Sequence, residues 1–228
     1  MTGAFPFSES RGHSIAAPGD AETLHLLMRL RSRGVGDTSV LRAFEAVPRA
    51  YFTPVAQRDL AARDLALPTG CGQTVGAPSD LALALASLDL RKDHRVLDIG
   101  TGSGYAAAVI SHLAAQVVSV ERFRTLAIEA KRRIEGCGIG NVRVVLADAL
   151  AEVPVSGPFD RAFIDFAVDK PPSAVARRLS EGAVCVFPRP DGRMCHLVRA
   201  ERLESGWREE LVGLTRADPP ILGLSRYI

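Results

Sequence analysis

The run Arg95-Val-Leu-Asp-Ile-Gly-Thr-Gly-Ser-Gly104 constrains this chain more than any other stretch. Val96, Leu97 and Ile99 surround Asp98 with apolar side chains on both faces, the pattern of a strand buried inside a parallel sheet. Glycines then stand at alternate positions, Gly100, Gly102 and Gly104, and the Ala-rich run from Tyr105 to Ile110 follows with good overall helix propensity. Strand, glycine turn and helix make the first crossover of a doubly wound α/β domain. Without Cβ atoms, the turn can lie against a ligand, and the helix start presents free N–H groups to it. The spacing rules out two common nucleotide motifs. The dinucleotide fingerprint requires Gly or Ala where Tyr105 stands, and a P-loop requires Lys and Ser or Thr after the last glycine.

The rest of the chain repeats that alternation. Strands are expected at 95–99, 117–121, 142–148, 160–165 and 183–187, with helices at 105–113, 124–135 and 173–179 between them. An antiparallel hairpin is expected from 194–202 and 207–214 around Glu204-Ser-Gly206. This is α/β, a doubly wound and mostly parallel seven-stranded sheet. Ahead of it, residues 1–19 are polar and broken by Pro6, Gly12 and Pro18, and read as a flexible arm. Residues 20–90 read as an N-terminal helical lobe. Its first helix starts after an Asp20 cap and stops at Gly34. A second spans Val40 to Val47, capped by Thr38 or Ser39, and a third follows a Ser79 cap from Asp80 to Leu90. Between them, residues 55–78 hold no helical pattern and read as an ordered loop wrapping the site. Residues 91–228 are then the ligand-binding domain.

Charge and cysteine usage narrow the class. The 28 basic and 26 acidic residues leave a formal charge of +2, which provides no electrostatic footprint for nucleic acid or an anionic membrane. No apolar run approaches the ~20 residues that span a bilayer, and the first residues lack a secretory pattern. Cys71, Cys137, Cys185 and Cys195 form no C-x-x-C pair, so neither a zinc site nor a disulfide framework is indicated, and a reducing cytoplasm is expected. Cys195 and His196 adjoin, but neighbours on a strand face opposite ways, so both read as structural.

Ligands of such sheets sit beyond the carboxyl ends of the strands, at the switch point. The candidates are therefore Gly100 to Gly104, Glu121, Asp148 and Asp165. G-x-G-x-G after an acidic strand residue resembles motif I of class I S-adenosylmethionine-dependent methyltransferases. Glu121, 21 positions after Gly100, is then placed to accept hydrogen bonds from both ribose hydroxyls, and Asp148 to meet the adenine amino group. The alternatives are a surface salt bridge of Glu121 with Arg122 or Arg124, and a plain turn at Asp148. Asp98, inside the strand, must be paired or hydrogen-bonded, by a ligand ammonium or by loop N–H groups. Methyl transfer from a sulfonium needs positioning more than a base, since a carboxylate acceptor is already ionised at neutral pH. No His stands near these strand ends.

Further stretches resemble the protein-L-isoaspartate O-methyltransferases. Val47-Pro-Arg-Ala-Tyr-Phe-Thr-Pro54 is similar to V-P-R-x-x-F-x-P, and Leu67-Pro-Thr-Gly-Cys-Gly-Gln-Thr-Val-Gly-Ala-Pro78 to L-P-I-G-x-G-Q-T-I-S-x-P. Val96 to Tyr105 is similar to V-L-E-I-G-T-G-S-G-Y, and Val118 to Arg122 to Y-S-V-E-R. The resemblance implies S-adenosyl-L-methionine as cofactor, held by Asp98, Gly100, Thr101, Gly102, Ser103, Gly104, Glu121, Arg122, Asp148 and Ala149. It implies an isoaspartyl protein or peptide as acceptor, met by Gln73, Thr74 and position 76, and a monomer or homodimer. Two departures stand out. The family's serine is Gly76 here, and its small-residue segment after the fourth strand is replaced by Asp165-Phe-Ala-Val-Asp-Lys170. Asp165 therefore joins the residues expected at the acceptor. Two other readings follow: a divergent transferase acting on another carboxylate or hydroxyl, or a cofactor-binding protein without transfer. Phe163-Ile-Asp-Phe-Ala-Val-Asp-Lys170 also resembles a segment of metal-dependent catechol-type O-methyltransferases, which would make Asp165 a magnesium ligand. The Asp-Asn pair expected after the fifth strand is absent.

Overall fold

In the computed structural model, residues 21–225 are described. The arm expected at 1–19 and the Asp20 cap lie outside them. Helix α1 (Ala21–Ser32) opens the N-terminal lobe and α2 (Thr38–Ala46) follows. The cap of α2 is Asp37, not Thr38 or Ser39. Its carboxylate accepts from Ser39 N–H at 2.7 Å and Val40 N–H at 3.2 Å. An aspartate one position earlier caps as well as a hydroxyl and adds a negative charge at the helix N-terminus.

A single turn, α3 (Arg49–Phe52), leads into a 3₁₀ turn at Val55–Leu60. The chain then makes a small antiparallel ladder, β1 (Leu67–Pro68) with β2 (Thr74–Val75), around a second 3₁₀ turn at Gly70–Gly72. Helix α4 (Pro78–Ser87) starts with Pro78 in its first turn, Ala77 preceding it and no side-chain cap. The expected Ser79 cap is therefore corrected. Proline is suited to the helix start, so Ser79 falls inside the first turn, where its N–H donates to Asp64 at 2.9 Å.

The α/β domain runs β3 (Arg95–Ile99), α5 (Tyr105–Ser111), β4 (Gln116–Glu121), α6 (Arg124–Gly136), β5 (Val142–Leu146), β6 (Phe159–Ile164), α7 (Ser173–Ala176), β7 (Leu179–Asp191), β8 (Met194–Leu203) and β9 (Gly206–Thr215). Seven strands form one sheet in the order β5-β4-β3-β6-β7-β8-β9. The first five are parallel, and β8 and β9 close the sheet antiparallel. Two boundaries differ from the sequence expectation. Helix α7 ends after one turn, because Leu179 already pairs with Phe159 of β6. Strand β7 also continues past Phe187 through Pro188 and Pro190. Its pairing with β6 ends at Val186, so the missing proline N–H groups interrupt no ladder on that side.

Both faces of the sheet are covered. On one, Val96, Val117 and Val184 pack with α4, α5 and the lobe residues Leu30, Phe44 and Phe52. On the other, Leu97, Ile99, Phe159 and Phe187 pack with Val153 and Val175. The strand order reverses between β3 and β6, which opens a crevice at their carboxyl ends, facing the loop that precedes α4.

That loop is fixed by Arg49. The buried guanidinium donates from Nη1 to the carbonyls of Ala61 (3.1 Å) and Arg63 (3.2 Å). From Nη2 it donates to those of Leu65 (2.9 Å), Val75 (3.3 Å) and Gly76 (2.9 Å). No carboxylate takes part in these bonds, so the planar fork is used on backbone oxygens alone. Arg49→Leu strands several carbonyls, each worth about 1–3 kcal/mol when buried unpaired. It should lower stability by at least about 3 kcal/mol in a denaturant titration, and Arg49→Lys should restore only part, since an ammonium offers three donors.

Candidate active site

The turn after β3 is sewn to the end of β4. Gly100 N–H and Thr101 N–H donate to the Val120 carbonyl at 2.9 and 3.3 Å, and Gly102 N–H donates to Glu121 Oε2 at 2.9 Å. Gly102 lies at φ +54°, and a side chain there would be strained. Gly104, at φ +90°, has a second reason: a Cβ would meet Ala130 Cβ at 3.1 Å and Ile134 at 3.3 Å, so it lets α5 start against α6. On the other side Asp165 N–H donates to the Ile99 carbonyl at 2.9 Å.

Glu121 is 4% exposed and does not form the surface ion pair weighed from sequence. Its second oxygen accepts from Phe123 N–H at 2.8 Å. Burial raises its pKa, and the bonds from Phe123, Gly102 and Arg122 backbone groups oppose that. Each carboxylate oxygen accepts one of the bonds named and keeps lone-pair capacity for a ligand donor.

A cleft of about 860 Å³ opens over these strand ends. Its wall includes Gly100, Gly102, Glu121, Arg122, Asp148 and Ala149 from the expected cofactor residues. It also includes Gln73, Thr74, Gly76 and Asp165 from the expected acceptor residues. The structure thus brings ten of the predicted residues around one space. Thr101 and Ser103 border a smaller adjoining recess together with Thr74, Gly76, Asp80 and Asp165. Gly104 is on neither wall. The volume lies within the ~300–1,000 Å³ usual for ligand sites.

Asp98 lies beneath the cleft and is not on its wall. It is fully buried, with Oδ2 accepting from Ser119 Oγ at 2.5 Å, while Thr101 Oγ1 meets the same serine oxygen at 2.5 Å. Among the described residues, its Oδ1 has no hydrogen-bond partner. Burial pushes its pKa up to about 7; the Ser119 bond opposes this and the Glu121 charge adds to it. Asp165, at the crevice itself, is open to the cleft but deeply walled. Desolvation comes first in holding its pKa well above the usual range, followed by the charges of Asp98, Asp218, Asp80 and Glu121. Water in the open cleft moderates the first of these causes, but the acidic neighbours act in the same direction.

Several site residues were not legible from the sequence. Asp80 read only as an acidic first-turn residue. It borders both spaces, and burial raises its pKa against bonds from the Thr215 hydroxyl and the Arg216 backbone. Phe123 and Phe166 complete the apolar lining. The segment after β9 also returns to the site, which no motif announced. Among the described residues, no group of three His, Cys, Asp or Glu side chains is placed to hold a metal ion, and the four cysteines are free. Among them too, no helix is long and apolar enough to cross a membrane. Cys195 is buried, while His196 points away to Asp191 at 2.9 Å.

This sheet order, with a glycine turn at β3 and an acidic residue ending β4, is that of the class I S-adenosylmethionine-dependent methyltransferases. Comparison with known proteins refines the class. The family model for protein-L-isoaspartate(D-aspartate) O-methyltransferase matches residues 21–210. The protein-L-isoaspartate O-methyltransferase of Bradyrhizobium sp. is 42% identical over 91% of this chain and 97% of its own. That of Xanthobacter autotrophicus is 46% identical over 74% of this chain and 77% of its own. A solved protein-L-isoaspartate O-methyltransferase superposes with a TM-score of 0.78 at 30% identity, covering 89% of this chain and 67% of that one. A Plasmodium falciparum chain of the same designation, solved with S-adenosyl-L-homocysteine, shares the fold at a TM-score of 0.74 and 20% identity, covering 85% and 95%. The chain belongs to the protein-L-isoaspartate O-methyltransferase family, whose methyl donor is S-adenosylmethionine.

The buried carboxylate sets a pH test. The folded pKa of Asp98 is raised, so the folded state binds more protons than the unfolded chain between about pH 4 and 7. Stability contributed at this site therefore falls as pH rises through that window. Asp98→Asn should remove this dependence, and its stability relative to the parent should climb by up to about 4 kcal/mol between pH 4 and 8. Urea titrations of both proteins across that range check the sign.

Proposed function

We propose that this chain methylates the α-carboxylate of isoaspartyl residues in proteins or peptides, drawing the methyl from S-adenosylmethionine over the β3–α5 turn. One observation supports it most: the glycine turn bonded to Glu121 and the Gln73–Gly76 loop face each other across a single cleft. Three features fit the donor. The glycine turn opens onto the cleft at Gly100 and Gly102, Glu121 has unused lone pairs at the strand end, and Oδ1 of Asp98 lacks a partner among the described residues. The donor presents its methyl on a sulfonium, a leaving group that is already activated.

The residues then divide the work. Glu121 accepts from the ribose, Asp148, Ala149 and Arg122 border the nucleoside, and Gly100, Thr101, Gly102, Ser103 and Gly104 shape the amino-acid end. Gln73 and Thr74 lie on the acceptor side, held there by the bonds of Arg49 to Val75 and Gly76. Alignment is the main requirement, and no proton has to move from a carboxylate acceptor. A transfer that joins a cation and an anion into neutral products is also favoured away from water.

Gly76 and Asp165 favour a second possibility, an acceptor of different chemistry, because an acid at the recess repels an anion and a hydroxyl is missing. The assay offers labelled S-adenosylmethionine with an isoaspartyl peptide, its aspartyl twin and no peptide. Base-labile label on the isoaspartyl peptide alone supports repair. Cofactor binding without label on either peptide rejects it. Glu121→Ala should weaken cofactor binding by one to two decades in calorimetry. Gly76→Ser is the sharper change. A Cβ at Gly76 meets nothing within 4 Å, so serine fits without strain. One hydrogen bond to a charged group, about 1.5–3 kcal/mol, corresponds to a rise in kcat/KM of roughly ten- to a hundredfold for the isoaspartyl peptide.

A further inference from the structure

The chain does not end its work at β9. Residues 216–225 lie beyond the stretch matched by the family model, yet they return across the strand ends and touch both halves of the cleft. On the nucleoside side, Gly223 N–H donates to Asp148 Oδ2 at 2.8 Å, while Leu150 N–H holds the other oxygen at 3.0 Å. Arg122 donates from Nη2 to the Leu222 carbonyl at 3.0 Å and from Nε to that of Gly223. Ser225 N–H returns to the Arg122 carbonyl at 3.2 Å, in a one-residue parallel bridge with Phe123. On the acceptor side, Ala167 N–H donates to the Asp218 carbonyl at 2.8 Å, and Thr74 Oγ1 donates to Asp218 Oδ2 at 3.3 Å.

The segment is tied by these bonds and hardly at all by apolar burial. Leu222 is 75% exposed, and Ile221 and Leu224 are also exposed. A stretch with few buried contacts sits at the low end of local stability and opens readily. It does not plug the site, because the 860 Å³ cleft exists with the segment in place, and Pro219, Pro220 and Ile221 form part of its wall. A planar ring lodged against Pro220 and Ile221 would cover apolar surface that the segment alone leaves open.

We propose that the segment 216–225 is a clamp for the methyl-transfer site, closing on the nucleoside through Asp148 and Arg122 and orienting the Thr74 hydroxyl through Asp218. Clamp and ligand reinforce each other, because each supplies surface and bonds that the other lacks. Product release then waits on opening of the segment. The inference rests on the placement of the cofactor at the glycine turn.

The test uses the full chain and S-adenosyl-L-homocysteine. Gly223→Pro removes the N–H that holds Asp148 and cannot adopt the φ of +78° found there, so it detaches the clamp at an exposed position. Stopped-flow displacement should show release at least tenfold faster than from the parent, with thermal unfolding of the ligand-free proteins unchanged. Asp218→Ala should raise KM for an isoaspartyl peptide severalfold at nearly constant cofactor affinity, and Asp218→Asn, which keeps an acceptor for Thr74, should recover it. Release from Gly223→Pro within twofold of the parent overturns the clamp. Failure of the parent itself to bind the product overturns both the clamp and the cofactor placement, so the two failures are distinct.

Discussion

The site depends on how the turn after β3 is bonded on both sides. Its N–H groups at Gly100, Thr101 and Gly102 go to β4, and the Ile99 carbonyl before it accepts from Asp165 N–H of the β6 end. Each neighbour thereby fixes one flank of the turn at the place where the strand order reverses. The glycines are a consequence of this. A chain that must leave a central strand, bond to the strand beside it and start a helix against Ala130 has little room for side chains. The crevice is the space such a turn leaves open, and the residues that end the adjacent strands face it without further arrangement.

Acids outnumber bases on the cleft wall, with Asp64, Asp80, Glu121, Asp148, Asp165 and Asp218 against Arg33, Arg122, Arg193 and Arg216. The charges of Asp98, Asp218, Asp80 and Glu121 all act on Asp165, and burial pushes Asp98, Glu121, Asp165 and Asp80 toward their neutral forms. Arg33, Arg193 and Arg216 also stand on the cleft wall, while two other arginines are already engaged. Arg49 is committed to carbonyls, and Arg122 donates to the returning segment. A cationic ligand above the carboxyls would draw them back to their charged forms, Asp98 with its unpartnered oxygen included, so the recess suits a cation. It also explains why the acceptor is the harder half to assign. The same field that suits a sulfonium and an ammonium opposes a carboxylate, and at Gly76 the hydroxyl that would soften this is missing.

How far the sequence revealed the molecule follows from how local each signal is. The strands from Arg95 to Phe187 were legible because apolar runs bounded by glycines or acids report burial residue by residue. The helix stops at Gly34 and Gly136 were equally local. The caps were less so: Asp37, Thr38 and Ser39 are all competent, and only the backbone decides among them. Arg49 was visible as part of a motif, but its use was not, since a buried arginine usually implies a carboxylate and here five carbonyls take that place. Asp80 read as a helix-start acid because its other role depends on Thr215, more than a hundred positions away.

The returning segment marks the limit of that legibility. Most of its bonds run through backbone groups, the N–H of Gly223 and Ser225 and the carbonyls of Asp218, Leu222 and Gly223. Almost any residue supplies such groups, so no pattern of side chains has to accompany them. Its apolar residues, left exposed, show no periodicity that packing would impose. An element held this way is nearly silent in sequence, yet it can join the two halves of a site. Glu121 and Asp148 can be read from their positions after strands. The wall opposite them is set by where residues 216–221 come to rest, and that follows from where the antiparallel edge of the sheet delivers them.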